Sequence, residues 1–250
     1  MSKKSTDSVE YVNSKGNRLD GRKVDELRPI KIQAGVIPEA NGSAFIEWGQ
    51  NKVFAAVYGP KECLPKHLAN PYKAVLRCNY RMASFSVPDR KNPKPGRREI
   101  EISKVCAEAL SRAVFLEKFP GTCIDVEIEV IDSNAGTRVA GLTAASVALA
   151  DAGLPMRDLV CATSVGKAGG KIMVDVNKDE EDAPDAVDIP MGVMPSTGEI
   201  VLLQLDGLIS KKEFNEAIKL GFVAVTKVHG LQVEAIKKKY ALEENGSEEN

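Results

Sequence analysis

The chain has 250 residues, 43% apolar and 28% charged, with a formal net charge of −1. That supplies apolar residues for a full core, and it excludes a global field that draws in nucleic acid, so any basic surface must be local. Five scattered cysteines without a CxxC spacing argue against a disulfide framework or a zinc site; two histidines leave no His-based triad; the polar N-terminus and the lack of a long apolar run predict no signal peptide and no membrane span, hence a cytoplasmic protein with reduced thiols.

Residues 1–17 are polar and predict a loose tail, residues 18–242 a single domain, and residues 243–250 an acidic, frayed end. After Arg18-Leu19-Asp20-Gly21-Arg22, strands are expected at Ile30–Ile37, Ser43–Trp48 and Lys52–Tyr58, the last two joined by a hairpin at Gly49-Gln50-Asn51. Residues 61–98 hold ten Lys or Arg against Glu62 and Asp89, around an expected strand Lys73–Met82 with Arg77, Tyr80 and Arg81. Basic residues interleaved with Tyr72, Tyr80 and Phe85 suit a single-stranded backbone tracked by charge and stacked by rings; a solvated charged surface is the plainer reading.

A helix is expected from Arg97 to about Lys118, with Ile102, Val105, Ala109, Ala113 and Leu116 as its buried stripe and Pro120-Gly121 as its stop. Arg97 and Arg98 in its first turn work against the helix dipole, a placement easier to understand if an anion sits between them and the helix. Val126, Ile128 and Val130 then mark a strand, broken by Asp132-Ser133-Asn134-Ala135-Gly136. From Thr137 a small-residue helix starts, with Val139, Leu142, Ala145 and Leu149 on one side. A strand, a glycine turn and a helix start leave backbone N–H groups and the positive dipole end open to an anion, and Arg138 adds a fork that grips two phosphate oxygens. An ordinary connection with a surface arginine is spelled the same way.

Strands follow at Val160–Gly166, Lys171–Val176, Val187–Met194 and Glu199–Leu205, and Ser210 with Glu213 caps a last helix, Lys211 to about Leu242. Strands lead twice to a long helix, which reads as α+β with a possible duplicated topology. Residues 175–188 carry seven acids against Lys178. Pro184 forbids a continuous helix there, so a loop from Asp182 back into a strand at Asp188 can bring both carboxylates together. Two such oxygens suit a magnesium or manganese ion that keeps most of its waters; alternatively, one carboxylate holds a proton for a leaving oxygen; a merely solvated acidic loop is the third reading. Together these parts fit phosphate chemistry on a polyanion.

The motifs RLDGR at 18–22, LRP at 27–29, KNPKPGRREIEISKV at 91–105, NAGTRVAGLTAASVALADAGLPMRDLV at 134–160, DVNKDEED at 175–182, DIPMGVMPS at 188–196 and LLQLDG at 202–207, in that order, resemble the ribonuclease PH family, and within it the catalytic subunits of archaeal exosomes. The resemblance covers residues 18–240. It implies a ribonuclease PH fold of the ribosomal protein S5 domain 2 type, with mixed sheets and packed helices. It also implies phosphate-dependent 3′→5′ cleavage of RNA with release of nucleoside 5′-diphosphates, reversible as tailing. By matching motifs, Arg98, Gly136, Thr137 and Arg138 would bind phosphate, and Asp182 and Asp188 would act as the catalytic or metal-binding pair, for Mg2+ or Mn2+. Arg97, Lys66 and His67, with Tyr80 and Arg81 of the basic strip, would contact single-stranded RNA at its 3′ end. The implied assembly is a hexameric ring with a related inactive subunit, capped by S1/KH-domain RNA-binding proteins. A homohexameric bacterial-type ribonuclease PH trimming tRNA ends, and a non-catalytic ring scaffold, are the rival readings.

Overall fold

The structure is a computed structural model and describes residues 11–13 and 16–247. Strands β1 (Ile30–Ala34), β2 (Gly42–Trp48) and β3 (Asn51–Glu62) form an antiparallel meander. Their alternation turns Ile46, Trp48, Val53, Ala55 and Val57 to one face, where all are fully buried. Strand β4 (Val75–Met82) pairs parallel with β5 (Thr122–Asp132), and β5 pairs antiparallel with β3, giving the order β1-β2-β3-β5-β4. Because β4 and β5 are parallel and in register from Val75↔Cys123 to Met82↔Val130, the segments that follow them emerge at the same end of the sheet.

A parallel pair needs a crossover, supplied by helix α1 (Arg97–Ala113), which packs on β4. The helix is shorter than its apolar spacing suggests. Val114 leaves it to bridge Met156, the Phe115 N–H donates to the Pro155 carbonyl at 3.0 Å, and Leu116–Lys118 form a separate 3-10 turn.

Helix α2 (Thr137–Asp151) contacts strands of both sheets and is buried from Val139 through Leu149 on every side, not along the single stripe expected. Its Ala, Gly, Ser and Thr residues let the strands come close; a Cβ on Gly141 would stand 2.9 Å from Ile128 Cγ2. The buried hydroxyls are paired: Ser146 Oγ accepts the Val160 N–H at 2.8 Å and Thr143 Oγ1 the Ala162 N–H at 3.3 Å.

The second sheet has β6 (Cys161–Ala168), β7 (Lys171–Val174), β8 (Val187–Met194) and β9 (Glu199–Leu203), all antiparallel in the order β7-β6-β8-β9. A one-turn helix α3 (Lys178–Glu181) sits between β7 and β8, where no helix is expected from the sequence. Asn177 caps it: its Oδ1 accepts the Glu180 N–H at 3.0 Å, and Glu180 Oε2 accepts the Asn177 N–H at 2.9 Å. The last helix, α4 (Lys211–Ser247), packs on β6 and β1.

Five strands with a parallel pair against four antiparallel ones do not repeat strand for strand, so the duplicated topology does not hold at that level. The ends differ from expectation too. Residues 1–10, 14–15 and 248–250 of the expected tails lie outside the described residues. The end of the first tail packs down: Val12 bridges Arg18, and Tyr11 and Val12 rest on Ala168, Met173, Val176 and Ala183. At the other end the helix runs on through Ser247, past the expected stop at Leu242. All five cysteines are free and buried. Among the described residues no helix is long and apolar enough to cross a membrane.

Candidate active site

Where β5 ends, Ala135 (φ 50°) and Gly136 (φ 69°) take successive left-handed conformations before α2 begins at Thr137. Ala135 pays for this conformation with a Cβ clash that glycine avoids, so the turn has to be held by its surroundings. The turn presents the unpaired N–H groups at the start of α2 beside Arg138, the second residue of the helix. Arg138 Nη1 donates to Gln204 Oε1, and Gln204 in turn donates from Nε2 to Glu101 Oε1 at 2.5 Å. The Glu101 carboxylate therefore fixes which way the Gln204 amide faces, and the amide oxygen holds one edge of the guanidinium.

Arg98 comes from the other crossover. Its helix start is supported by Glu99, whose Oε2 accepts the Gly96 N–H at 2.9 Å and whose other oxygen pairs with Lys91. A carboxylate in the first turn thus offsets part of the unfavourable charge of the two arginines. Among the described residues neither Arg98 nor Arg138 is spent on a salt bridge; Arg98 has only a weak 3.8 Å contact from Nη1 to Met82 Sδ.

Both arginines line a cleft of about 890 Å³ with Ala135 and Asp188. Asp188 is the second residue of β8 and is locked to Asp206 by reciprocal backbone hydrogen bonds of 2.9 Å. Burial, then the charge of Glu181, push the Asp188 carboxyl up to about 6; Asp206 adds to the rise, and Arg138 and Arg98 oppose it. The cleft lining therefore mixes four cations, Lys91, Arg98, Arg138 and Lys178, with five carboxylates, Asp89, Glu101, Glu181, Asp188 and Asp206.

The structure brings Arg98, Gly136, Arg138 and Asp188 together, and treats the other expected residues differently. Thr137 is at the loop, but its hydroxyl faces inward and accepts the Tyr80 hydroxyl proton at 2.8 Å, so its open group is the backbone N–H. Tyr80 is 1% exposed, which corrects the expectation that it stacks on RNA: it lies on the inner face of β4, under α2. Arg81, the next residue, points to the opposite face, in register with Glu129. Asp182, expected beside Asp188, ends α3 outside the cleft lining and pairs with Lys178 at 2.7 Å; Glu181, one residue earlier, faces Asp188 instead. Lys178, its partner, does line the cleft. Arg97 is exposed one residue before Arg98 and does not line the cleft. Lys66 and His67 form a 3-10 turn before β4, with Lys66 3.2 Å from Glu62, at the end of the strand pair away from the cleft. Seven residue steps of β4 put them roughly 23 Å off along the strand.

Lys91, Glu101, Lys178, Gln204 and Asp206 were not singled out by sequence reasoning. Glu101 had a signal: it is three residues after Arg98 and so on the same helix face. Gln204 and Asp206 lie in LLQLDG, a motif that carries no chemistry when read alone.

The sequence matches the 3′ exoribonuclease family, domain 1 at residues 26–155 and domain 2 at residues 158–224. It is 55% identical over 246 residues to exosome complex component Rrp41 of Pyrococcus furiosus, covering 97% of this chain and 98% of that one. It is 49% identical over 249 residues to Rrp41 of Thermoplasma acidophilum, covering 100% of both. Among solved structures, the Archaeoglobus fulgidus exosome with RNA bound to the active site superposes with a TM-score of 0.73 at 26% identity, covering 86% of this chain and 92% of that one. Rice Rrp46 superposes with a TM-score of 0.79 at 25% identity, covering 88% and 100%.

Proposed function

The chain belongs to the 3′ exoribonuclease family, and on that premise we propose that it is the catalytic ring subunit of an archaeal-type exosome, degrading RNA from its 3′ end with inorganic phosphate as co-substrate. The observation that carries this is the cleft that Arg98 and Arg138, free of salt bridges among the described residues, line together with Asp188, close enough for both charges to act on its carboxyl. Phosphate sits between the two guanidinium groups and the N–H groups of Gly136 to Arg138. One of its oxygens attacks the phosphorus of the last diester. The bond from that phosphorus to the 3′ oxygen of the preceding nucleotide breaks, and the departing 3′ oxygen takes a proton from Asp188. The product is a nucleoside 5′-diphosphate, so cleavage is phosphorolytic and not hydrolytic. One diester is exchanged for one phosphoanhydride, which allows the reverse reaction to add 3′ tails.

The crowded carboxylates fit a divalent cation, Mg2+ or Mn2+. Among the described residues no three His, Cys, Asp or Glu side chains converge to cage one, so it would keep most of its waters. In the alternative role, with its carboxyl ionised and no proton to give, Asp188 would hold the ion, joined by Asp182 once Asp182 exchanges Lys178 for it. When bound it supplies neutralisation of the phosphate oxygens. Arg97 and Arg81, and further back Lys66, are cations placed to follow the RNA backbone, with His67 beside Lys66 as a hydrogen-bonding partner.

The similarity to archaeal Rrp41 over nearly the whole chain favours an exosome subunit, in a hexameric ring with a related inactive subunit and S1/KH-domain caps, over a homohexameric tRNA-trimming enzyme. A scaffold without activity would be expected to lack some of Arg98, Arg138, Asp182 and Asp188, and all are present.

The test is an assay of poly(A) RNA with the full chain and a ring partner, with and without phosphate. ADP released only when phosphate is present is the expected result; AMP, or no product in either case, counts against the reading. In the same assay Arg138→Ala is expected to raise the phosphate KM by about 10- to 150-fold, the loss of a charge-assisted contact of roughly 1.5–3 kcal/mol. An unchanged phosphate dependence would remove Arg138 from the site.

A further inference from the structure

We propose that Arg28 is a positioning residue for the phosphate seat, and that the RLDGR…LRP segment at 18–29 serves to hold it there. This rests on the reading of Gly136 to Arg138 as that seat. Arg28 Nη1 donates to the Asn134 carbonyl at 2.5 Å and Nη2 to the Ala135 carbonyl at 3.4 Å. The same guanidinium is fixed from behind by Asp175, which accepts Nε at 3.0 Å, Nη2 at 2.7 Å and the Arg28 backbone N–H at 2.7 Å. Asp175 is fully buried and also accepts the Trp48 Nε1–H at 3.0 Å. Arg22 donates from Nη1 and Nη2 to the Asp175 carbonyl at 3.2 Å, and Arg18 from Nη2 at 2.9 Å. The loop has one more brace: Asn51 Nδ2 donates to the Ala135 carbonyl at 2.6 Å, and Asn51 Oδ1 accepts the Asn134 N–H at 2.5 Å.

Holding these carbonyls aims the amides. The peptide unit is planar and trans, so its C=O and the following N–H point in opposite directions. Arg28 and Asn51 draw the carbonyls of Asn134 and Ala135 to their side, and so turn the N–H groups of Ala135 and Gly136 to the other. The Gly136 N–H, the first donor of the seat, is thereby turned away from Arg28 and left open for an anion. The loop does not keep it unaided, because Ala135 sits at φ 50°, where a Cβ is disfavoured. Only a planar fork with several donors reaches two carbonyls while staying in register with a carboxylate. A lysine has the charge but cannot do both.

The experiment uses the full chain with its ring partner at saturating RNA, varying inorganic phosphate, with wild type measured first. Arg28→Lys is expected to raise the phosphate KM about tenfold or more while kcat stays within about threefold and the RNA KM does not change. Adding Ala135→Gly, which takes the left-handed conformation freely, is expected to recover part of that loss. A folded Arg28→Lys enzyme with wild-type phosphate KM overturns the proposal. So does a parallel fall in kcat, RNA affinity and melting temperature with no phosphate-specific effect, which is what a merely structural role would produce. If Arg28→Lys does not fold, Asn51→Ser decides, since it loosens the Ala135 carbonyl without stranding a buried charge. A raised phosphate KM there supports the proposal, and an unchanged one overturns it. Wild type that never saturates with phosphate would show instead that the seat itself was misread, and the inference would fall with it.

Discussion

Asp188→Asn is expected to lose about 10²–10⁴-fold in turnover, the usual range for removing a positioned proton donor, and at the same time to make the folded chain more stable at neutral pH. Both effects come from the same surroundings. Burial and the neighbouring Glu181 and Asp206 raise the Asp188 carboxyl to about 6, against the pull of Arg138 and Arg98. A carboxylic acid whose folded pKa lies above its unfolded value contributes its stability in the protonated form. That contribution is fully present below about pH 4, is lost as pH rises toward about 6, and leaves a constant deficit above. The rise corresponds to an upper limit of about 3 kcal/mol, and solvent in an open cleft reduces it to about 1–3 kcal/mol. An asparagine has the same shape and no charge to desolvate, so its melting temperature should exceed that of wild type by about 2–12 °C at pH 7.5 and match it at pH 4. Thermal unfolding at the two pH values, with the poly(A) assay alongside, measures all of this. A kcat for wild type that falls above about pH 6 agrees with a proton on Asp188. A kcat that climbs to about pH 6 and then levels would assign the residue to a cation. Equal melting temperatures at both pH values would mean that the carboxylate is not under strain at all.

Most of what the fold does for the site is legible in local sequence signals. The turn at Asn134-Ala135-Gly136 interrupts a clear period-two strand, and an arginine follows directly, so the anion seat can be read from one stretch. The opposing arginine pair at 97–98 is legible as an electrostatic anomaly. The reading fails where a one-residue choice depends on local geometry. Glu181 and Asp182 are adjacent acids that both reach Lys178, at 3.5 and 2.7 Å, and only the short helix α3, capped by Asn177, puts Glu181 in the cleft lining and leaves Asp182 out of it. Tyr80 fails for a similar reason. It sits on a strand of alternating faces, and composition does not say which face of β4 is covered by helices. The role of residues 18–29 is the least legible, because their partners Asp175 and Glu180 are more than 145 residues away in sequence. Buried ion pairs between distant segments leave no periodic mark.

Those distant pairs lead to the second large effect. Asp175→Asn is expected to destabilise the chain by about 3–5 kcal/mol, the range for removing one partner of a buried ion pair, and so to lower the melting temperature by about 6–20 °C. The substitution keeps the shape, and asparagine tolerates the left-handed backbone at φ 55° better than other residues do, so the effect isolates the charge. Burial by itself would raise the Asp175 carboxyl; the charge and hydrogen bonds of Arg28, with the Trp48 hydrogen bond, outweigh it and hold the carboxyl below its ordinary value. A depressed folded pKa means stability that is present above about pH 4 and is lost as pH falls through the folded value. The gap between wild type and Asp175→Asn should therefore close in acid. Without the carboxylate, the Arg28 guanidinium is left nearly buried with only carbonyl partners. If that stranded charge is the cause, the double variant Asp175→Asn with Arg28→Met should be more stable than Asp175→Asn alone, because it removes the unpaired ion as well. Thermal unfolding of the three proteins tests the argument. A double variant no better than the single one would put the loss in the Trp48 and backbone hydrogen bonds to Asp175, and an Asp175→Asn protein within about 1 kcal/mol of wild type would mean that this buried carboxylate does not brace residues 18–29.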